Sequence, residues 1–479
     1  MKTLQYWGTG NFQEHPYTGR IVTWTEKEKQ TVDDAIATKL LAANAGFVLD
    51  NDSTGEVVTS QINSVTGGIR TLLAANSLDV LMDIGPKART GMWQGCMYQA
   101  WQTAFGGYVW RLVLELPCHA TAFRVAVPKM QQGTWTVDGI AVCSTNTAAS
   151  PARLDPGGGS AWVTGTFDGS TAAKTIPQFT PPDQYQTNAL GDVVWSDWIF
   201  CPTVDRTDVV GESPLVVISI YSASANTGCM NGGTGSENAF GSEPLARWCA
   251  FKSGANATIS FSTGTSNPQS YPIFAVEFAP KVSALSLGAF GDSIMRGEKT
   301  SPLSRGYVIK AAATMQAGSS YAVSSVNSGN GGDKVINSYN RFRLLCQSGG
   351  GLPNIAMFAP YSRNSVSTMS VGQMQGVAEA FIKTAKKYGV LPALVTAIPE
   401  TTTPANNTTA DAMNVITRNL ATAYNIPLIE NDLIITSANA ATMLDVDGIH
   451  PNNTGDDALG VNAGNALIPW IPRAFQIGI

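Results

Sequence analysis

The sequence predicts a three-part chain. A small α+β module covers residues 1–78, an all-β sandwich or jelly roll 79–280, and a three-layer α/β domain with a parallel sheet 281–479. Three observations predict it. From about residue 281, apolar strands alternate strictly with helices of amphipathic spacing, the pattern of a parallel sheet covered on both faces. Between 79 and 280, strand-length runs rich in Val, Thr and Trp are separated by Gly, Ser, Asn and Pro turns, as in an antiparallel sandwich. Charged residues make up 14% of the chain, below the roughly 25% of ordinary soluble domains. That low share suits turn-rich β structure with a polar, weakly charged surface.

In the leading module, residues 4–7 and 20–24 read as short strands and 31–44 as a helix. Thr31 can cap that helix, Asp33 and Asp34 suit its positive end, and Gly46 can end it. Ile36, Leu40 and Leu41 give it an apolar face. The middle part has strand-length runs at 108–116, 122–127, 135–143, 215–221 and 257–262. It holds Trp93, Trp101, Trp110, Trp135, Trp162, Trp195, Trp198 and Trp248. Exposed Trp can stack on sugar rings, although core or interface packing is the preferred reading for any one of them. In the last part, strands are predicted at 284–290, 321–326, 354–358, 391–398 and 427–430. Helices are predicted at 306–317, 334–346, 371–388, 411–424 and 456–470. Met374, Val377, Phe381, Ala385 and Tyr388 recur at spacings of three and four, as do Met413, Ile416, Leu420 and Tyr424.

The chemistry-bearing stretch follows the first of these strands. Gly291-Asp-Ser293 places a serine on a glycine-flanked turn, where its hydroxyl can be held exposed. By itself the tripeptide also reads as an ordinary turn. A serine hydroxyl needs a base, and histidine is the usual one near neutral pH. The chain has His15, His119 and His450. Only His450 lies in the same predicted domain as Ser293 with a carboxylate, Asp447, at short fixed spacing. His15 and His119 read as structural.

Gly291-Asp-Ser-Ile294 resembles the first block of the GDSL or SGNH hydrolases, and Asp447-Gly-Ile-His450-Pro-Asn resembles their last. Asn327-Ser-Gly-Asn-Gly-Gly332-Asp333 is similar to the second block. Ser362-Arg-Asn364-Ser365 is the best match to the third, with the usual flanking Gly and Asp replaced. The resemblance covers about residues 284–479 and implies the flavodoxin-like SGNH fold and a serine esterase. It implies Ser293, His450 and Asp447 as catalytic residues. The Ser293 and Gly332 backbone N–H groups and the Asn364 amide would form the oxyanion hole. No metal or organic cofactor is expected. In a parallel sheet the strand-to-helix loops share the carboxyl edge, so these scattered residues are expected to converge there. The Thr/Asn-rich stretch 401–409 is expected on the same edge as a loop, more as a solvated connector than as a substrate contact.

The leading module loosely resembles short N-terminal modules of bacteriophage structural proteins; an ordinary subdomain fits as well. Taken with the esterase and the Trp-rich middle, it suggests a virion protein that deacetylates host surface polysaccharide, attached to other virion proteins through residues 1–78. A homo-oligomer is expected. A structural fibre, decoration or receptor-binding protein with a weak or inert SGNH domain is the alternative. The net charge of −5 and the lack of a basic cluster argue against a nucleic-acid partner. Seven widely spaced cysteines form no zinc-like pair and read as free thiols, with a disulfide among the six in residues 96–249 as the alternative. The first residues lack the apolar core of a signal peptide, and no segment approaches a membrane span. The expected location is therefore the virion, after synthesis in the host cytoplasm.

Overall fold

The computed structural model describes residues 106–130, 133–146, 161–180, 192–207, 213–225, 227–231, 246–259, 270–300, 306–348 and 351–476, with short strands between residues 2 and 103. Contacts divide the chain into Met1–Asn76 and Ser77–Ile479. In the first unit, Lys2–Tyr6 pairs antiparallel with both Lys29–Val32 and Phe47–Leu49. Thr31 therefore sits opposite Thr3 in a strand and does not cap a helix. The β-branched pair Thr31-Val32 suits that extended edge. The rest of the predicted helix, and His15, lie outside the described residues.

The second unit begins with two antiparallel sheets. The first contains β1 (Tyr108–Glu115), β3 (Gly139–Thr145), β4 (Leu215–Ser222) and β5 (Ala246–Ser253), with Val163–Thr164 on its edge, in the order Val163–Thr164, β3, β4, β1, β5. The second contains β2 (Ala120–Pro128) beside β6 (Ala275–Pro280), flanked by Val193–Trp195 and Gly91–Trp93. Leu112, Leu114, Val142, Ile218 and Ile220 of the first sheet share one apolar cluster with Phe123, Val125, Val127, Val276 and Phe278 of the second. The alternate residues Val109, Val113, Cys143 and Val217 form a separate cluster on the other face. The two sheets thus make a sandwich.

Two sequence expectations differ here. Residues 135–143 make two strands, Trp135–Val137 and the start of β3, broken at Asp138. Ala257 and Thr258 form a turn, with the Asn256 side chain accepting from the Thr258 N–H at 3.1 Å. That segment covers the sheet and accepts hydrogen bonds from the buried Arg111 guanidinium. Trp110 and Trp135 are buried, Trp162 stacks on Arg111, and Trp195 and Trp198 both lie over the Arg124 guanidinium.

The sheet of the last part of the chain is parallel. It contains β7 (Ala284–Phe290), β8 (Ala322–Asn327), β9 (Ile355–Phe358), β10 (Leu391–Val395) and β11 (Leu428–Ile429), in the order β8-β7-β9-β10-β11. Every residue of β7 is buried, as a central strand requires. Its helices include α1 (Ser293–Arg296), α2 (Tyr307–Ala317), α3 (Val335–Gln347), α4 (Val371–Lys387), α5 (Ala405–Tyr424) and α6 (Asn453–Leu467). Tyr307, Ala311 and Met315 of α2 pack with Leu459, Ala463 and Leu467 of α6 against one face. Phe342 of α3, Phe381 of α4 and Leu420 of α5 cover the other. This is a three-layer arrangement, and the chain leaves β7 toward β8 and then returns past it to β9. Such a reversal opens a crevice at the carboxyl edge.

The cluster on the α3–α5 face is continuous with the sandwich interior. The Trp195 indole N–H donates to the Ser348 hydroxyl at 3.2 Å across the same junction. Helix α5 starts at Ala405, so half of the predicted loop 401–409 is helical. Asn407 makes this possible: its side chain accepts from the Glu400 N–H and donates to the Glu400 carbonyl, both at 2.9 Å.

Candidate active site

Strand β7 runs into Gly291 and Asp292, which leave the sheet at its carboxyl edge. Asp292 caps α1, its Oδ1 accepting from the Ile294 N–H at 3.0 Å. Ser293 is thereby the first residue of a one-turn helix, and its own N–H has no partner within that helix. Gly297, in the left-handed conformation, closes the turn.

The second functional segment returns to this point from the far end of the domain. His450 Nε2 lies 2.8 Å from Ser293 Oγ, and His450 Nδ1 lies 2.7 Å from Asp447 Oδ2. The other Asp447 oxygen accepts from the Ile449 and His450 N–H groups at 2.9 and 3.0 Å. One carboxylate thus fixes both the backbone turn and the ring. Burial pushes the Asp447 carboxyl up, but hydrogen bonds from the His450 ring and from those two amides outweigh it. The net effect holds the group below the usual carboxylate range. With Asp447 ionised, Nδ1 carries the proton and Nε2 offers its lone pair to the serine hydroxyl.

Gly448 is essential to that turn. Its φ of +66° is in the left-handed region, and a Cβ there would overlap Thr401 Oγ1. The Thr401 N–H donates to the Gly448 carbonyl at 2.8 Å, which ties the turn to the segment after β10.

The segment after β8 wraps around α1. Asn327 donates to the Met295 carbonyl at 3.1 Å and accepts from the Gly329 N–H at 3.0 Å. Gly329 packs so closely on α1 that a Cβ would overlap the Arg296 amide. The Asn330 N–H donates to the Gly291 carbonyl at 3.1 Å, and Gly332 follows with φ of +72°. Beneath both turns lies a buried ion pair, Arg341 with Asp333. The same guanidinium donates to the Gly291 carbonyl at 3.1 Å and to the Ser328 carbonyl at 2.8 Å. Sequence reading missed Arg341, because its pairing with Asp333 depends on the first turn of α3. An arginine on the apolar face of a predicted helix, eight residues after Asp333, was the available signal.

Asn364 sits in a short 3-10 turn after β9. Its amide nitrogen lies 3.2 Å from both the Asp333 carbonyl and Ser362 Oγ. Ser362 itself donates to the Asp333 carbonyl at 2.8 Å. The third segment is therefore fastened to the residue next to Gly332. Burial raises the Asp292 carboxyl, and the hydrogen bond from the Ile294 amide offsets only part of that.

Ser293, His450 and Asp447 meet directly, and Gly332 and Asn364 lie on the two neighbouring loops of the same edge. His119 does not join them. Its ring spans Thr203 Oγ1 at 2.9 Å and Asp205 Oδ1 at 3.2 Å in the sandwich. Among the described residues, no three His, Cys, Asp or Glu side chains gather as a metal site.

No family model matches the chain, and no curated protein does. Several solved structures are similar to part of it. A member of the lipolytic protein G-D-S-L family from Veillonella parvula DSM 2008 is 17% identical, over 38% of this chain and 96% of that one, with a TM-score of 0.33. The lipase/acylhydrolase from Enterococcus faecalis is 18% identical, over 39% of this chain and 96% of that one, with a TM-score of 0.32. An acetyl xylan esterase is 19% identical, over 38% of this chain and 100% of that one, with a TM-score of 0.32.

Proposed function

We propose that residues 281–479 are a serine esterase domain of SGNH type. The observation that carries this is the hydrogen-bonded chain Ser293–His450–Asp447, with both contacts under 3 Å. His450 takes the Ser293 proton as Oγ attacks an ester carbonyl. Asp447 holds the ring in the required tautomer and stabilises the imidazolium. The Ser293 and Gly332 N–H groups receive the oxyanion, joined by the Asn364 amide once it turns from the Asp333 carbonyl and the Ser362 hydroxyl. His450 then protonates the leaving alcohol, and water attacks the acyl-enzyme by the reverse sequence. These residues need no metal or organic cofactor for those steps.

The substrate we favour is a short acyl ester on a glycan, such as an O-acetylated surface polysaccharide. Thr401, Thr402 and Thr403 are exposed beside the Asp447–His450 turn and could hydrogen-bond sugar hydroxyls. The tryptophans of the sandwich support this less, since those whose side chains are described pack in the core or on Arg111 and Arg124. A place in a phage particle, with attachment through residues 1–78, a jelly-roll class for the sandwich and a homo-oligomeric state complete the proposal. These rest on sequence resemblance and composition alone.

The test is hydrolysis of p-nitrophenyl acetate, followed by acetate release from acetylated polysaccharide. Ser293→Ala should lower kcat by about 10⁴-fold or more, and adding His450→Ala should cost little further, because triad members act as a unit. Activity of Ser293→Ala within a few-fold of wild type would refute the assignment.

A further inference from the structure

A second carboxylic acid stands behind the site. Asp456, in the first turn of α6, is fully buried. Its Oδ2 is in hydrogen-bond contact with the hydroxyl of Thr300, which is also buried. The Thr300 hydroxyl is at the same time 2.6 Å from the Gly297 carbonyl. A hydroxyl has one hydrogen, and a carbonyl oxygen can only accept. The Gly297 carbonyl accepts from the Thr300 N–H at 3.1 Å, and at 2.6 Å from the hydroxyl oxygen it takes the Thr300 hydroxyl hydrogen as well. The remaining contact joins two oxygens and needs a proton from the other side, which only the carboxyl can supply.

We propose that Asp456 is a neutral carboxylic acid at neutral pH, donating to Thr300 and so pinning the segment that ends the nucleophile turn to the helix that follows the catalytic histidine. The two attachments are direct. Gly297 closes α1, which begins at Ser293. On the other side, the Asp456 N–H donates at 2.8 Å to the carbonyl of Asn452, the cap of α6 and two residues past His450. The Asp456–Thr300 bond thus ties the serine half of the triad to the histidine half. Asp456 is a positioning residue, and its importance to turnover rests on the esterase reading above. Its protonation does not.

The surroundings favour the neutral form. Burial is the main influence and, with the Asp457 charge adding to it, pushes the Asp456 carboxyl up to about 8. A Thr300 hydroxyl turned toward the carboxylate and the nearby Tyr307 amide oppose this. The titratable and charged groups around it are few. Tyr307 faces it from α2, and its phenol donates to Met295 Sδ at 2.7 Å. Asp457 neighbours it on α6, offset by Lys310 of α2 at 3.9 Å. Glu298, paired with Arg296 at 3.5 Å, and Lys299 precede Thr300 in the chain. A carboxyl raised on folding binds its proton more tightly in the native state. Its stabilising share is complete below the ordinary carboxylate range and is lost as pH rises through about 8.

The experiment compares the full chain with Asp456→Asn, whose side-chain amide can still donate to Thr300. Infrared difference spectra at pH 6 should show a protonated-carboxyl band in the wild type that is missing from Asp456→Asn and fades as pH rises through about 8. Asp456→Asn should be at least as stable as wild type at pH 7, and its kcat should stay within about threefold. Above pH 8 the wild type alone should lose kcat. A spectrum at pH 6 without that band, or an Asp456→Asn chain less stable than wild type at pH 7, would overturn the proposal. Both readouts work whether or not Ser293 is a nucleophile.

Discussion

Arg341→Met removes the cation that lies under both the Ser293 turn and the Gly332 turn. The Arg341 and Asp333 side chains are 2% and 0% exposed, so no solvent replaces the lost charge. Breaking a buried pair by removing one partner costs about 3–5 kcal/mol, because the other charge is left uncompensated. That is a large share of the roughly 5–15 kcal/mol that holds a typical domain together. The Gly291 and Ser328 carbonyls also lose their donor. The turn carrying Ser293 then loosens relative to His450, and a displacement near 1 Å can cost about 10²-fold in rate. Denaturant unfolding measures the first effect and p-nitrophenyl acetate hydrolysis the second. Adding Asp333→Asn should recover much of the stability, since the orphaned charge is gone. It should not recover kcat, since neither carbonyl regains its donor. A stability loss under about 1 kcal/mol, with kcat unchanged, would show that Arg341 does not organise the site.

Two further predictions concern single positions. Asn364→Ala should lower kcat by roughly 10²–10³ with KM nearly unchanged if its amide turns to the oxyanion during reaction; an unchanged kcat would leave Asn364 only its anchoring of Ser362 and Asp333. Gly448→Ala should cost about 1–3 kcal/mol for its left-handed backbone and overlap with Thr401, and kcat should fall with it; a variant as stable and active as wild type would show that the turn can relax without moving His450.

The parallel sheet was legible because its signals are local. Unbroken apolar strands and helices with faces at spacings of three and four leave few alternatives, and β7 spans the predicted 284–290. The convergence of Ser293 with Asp447 and His450 followed from the topology, since strand-to-helix loops share one edge. What the sequence hid depends on partners far along the chain. Thr31 has the look of a helix cap until Lys2–Tyr6 is there to pair with it. Asn406 and Asn407 look like loop residues until Glu400 folds back on them. Arg341 and Asp456 read as an ordinary helix arginine and an ordinary first-turn aspartate. Their burial, not their position in sequence, gives them their roles. The sandwich strands were found, but their continuity with the α/β core was not, because an interface between layers leaves no periodic signal.

The most direct test of the site is covalent. A fluorophosphonate reacts with a serine only where a base has activated the hydroxyl and an oxyanion pocket receives the phosphoryl oxygen. Incubated with the full chain and digested for mass spectrometry, it should mark the peptide containing Gly291-Asp-Ser293 at Ser293. The same peptide should remain unmarked in His450→Ala. Modification of a different serine, or equal modification of Ser293 with His450 removed, would contradict the triad.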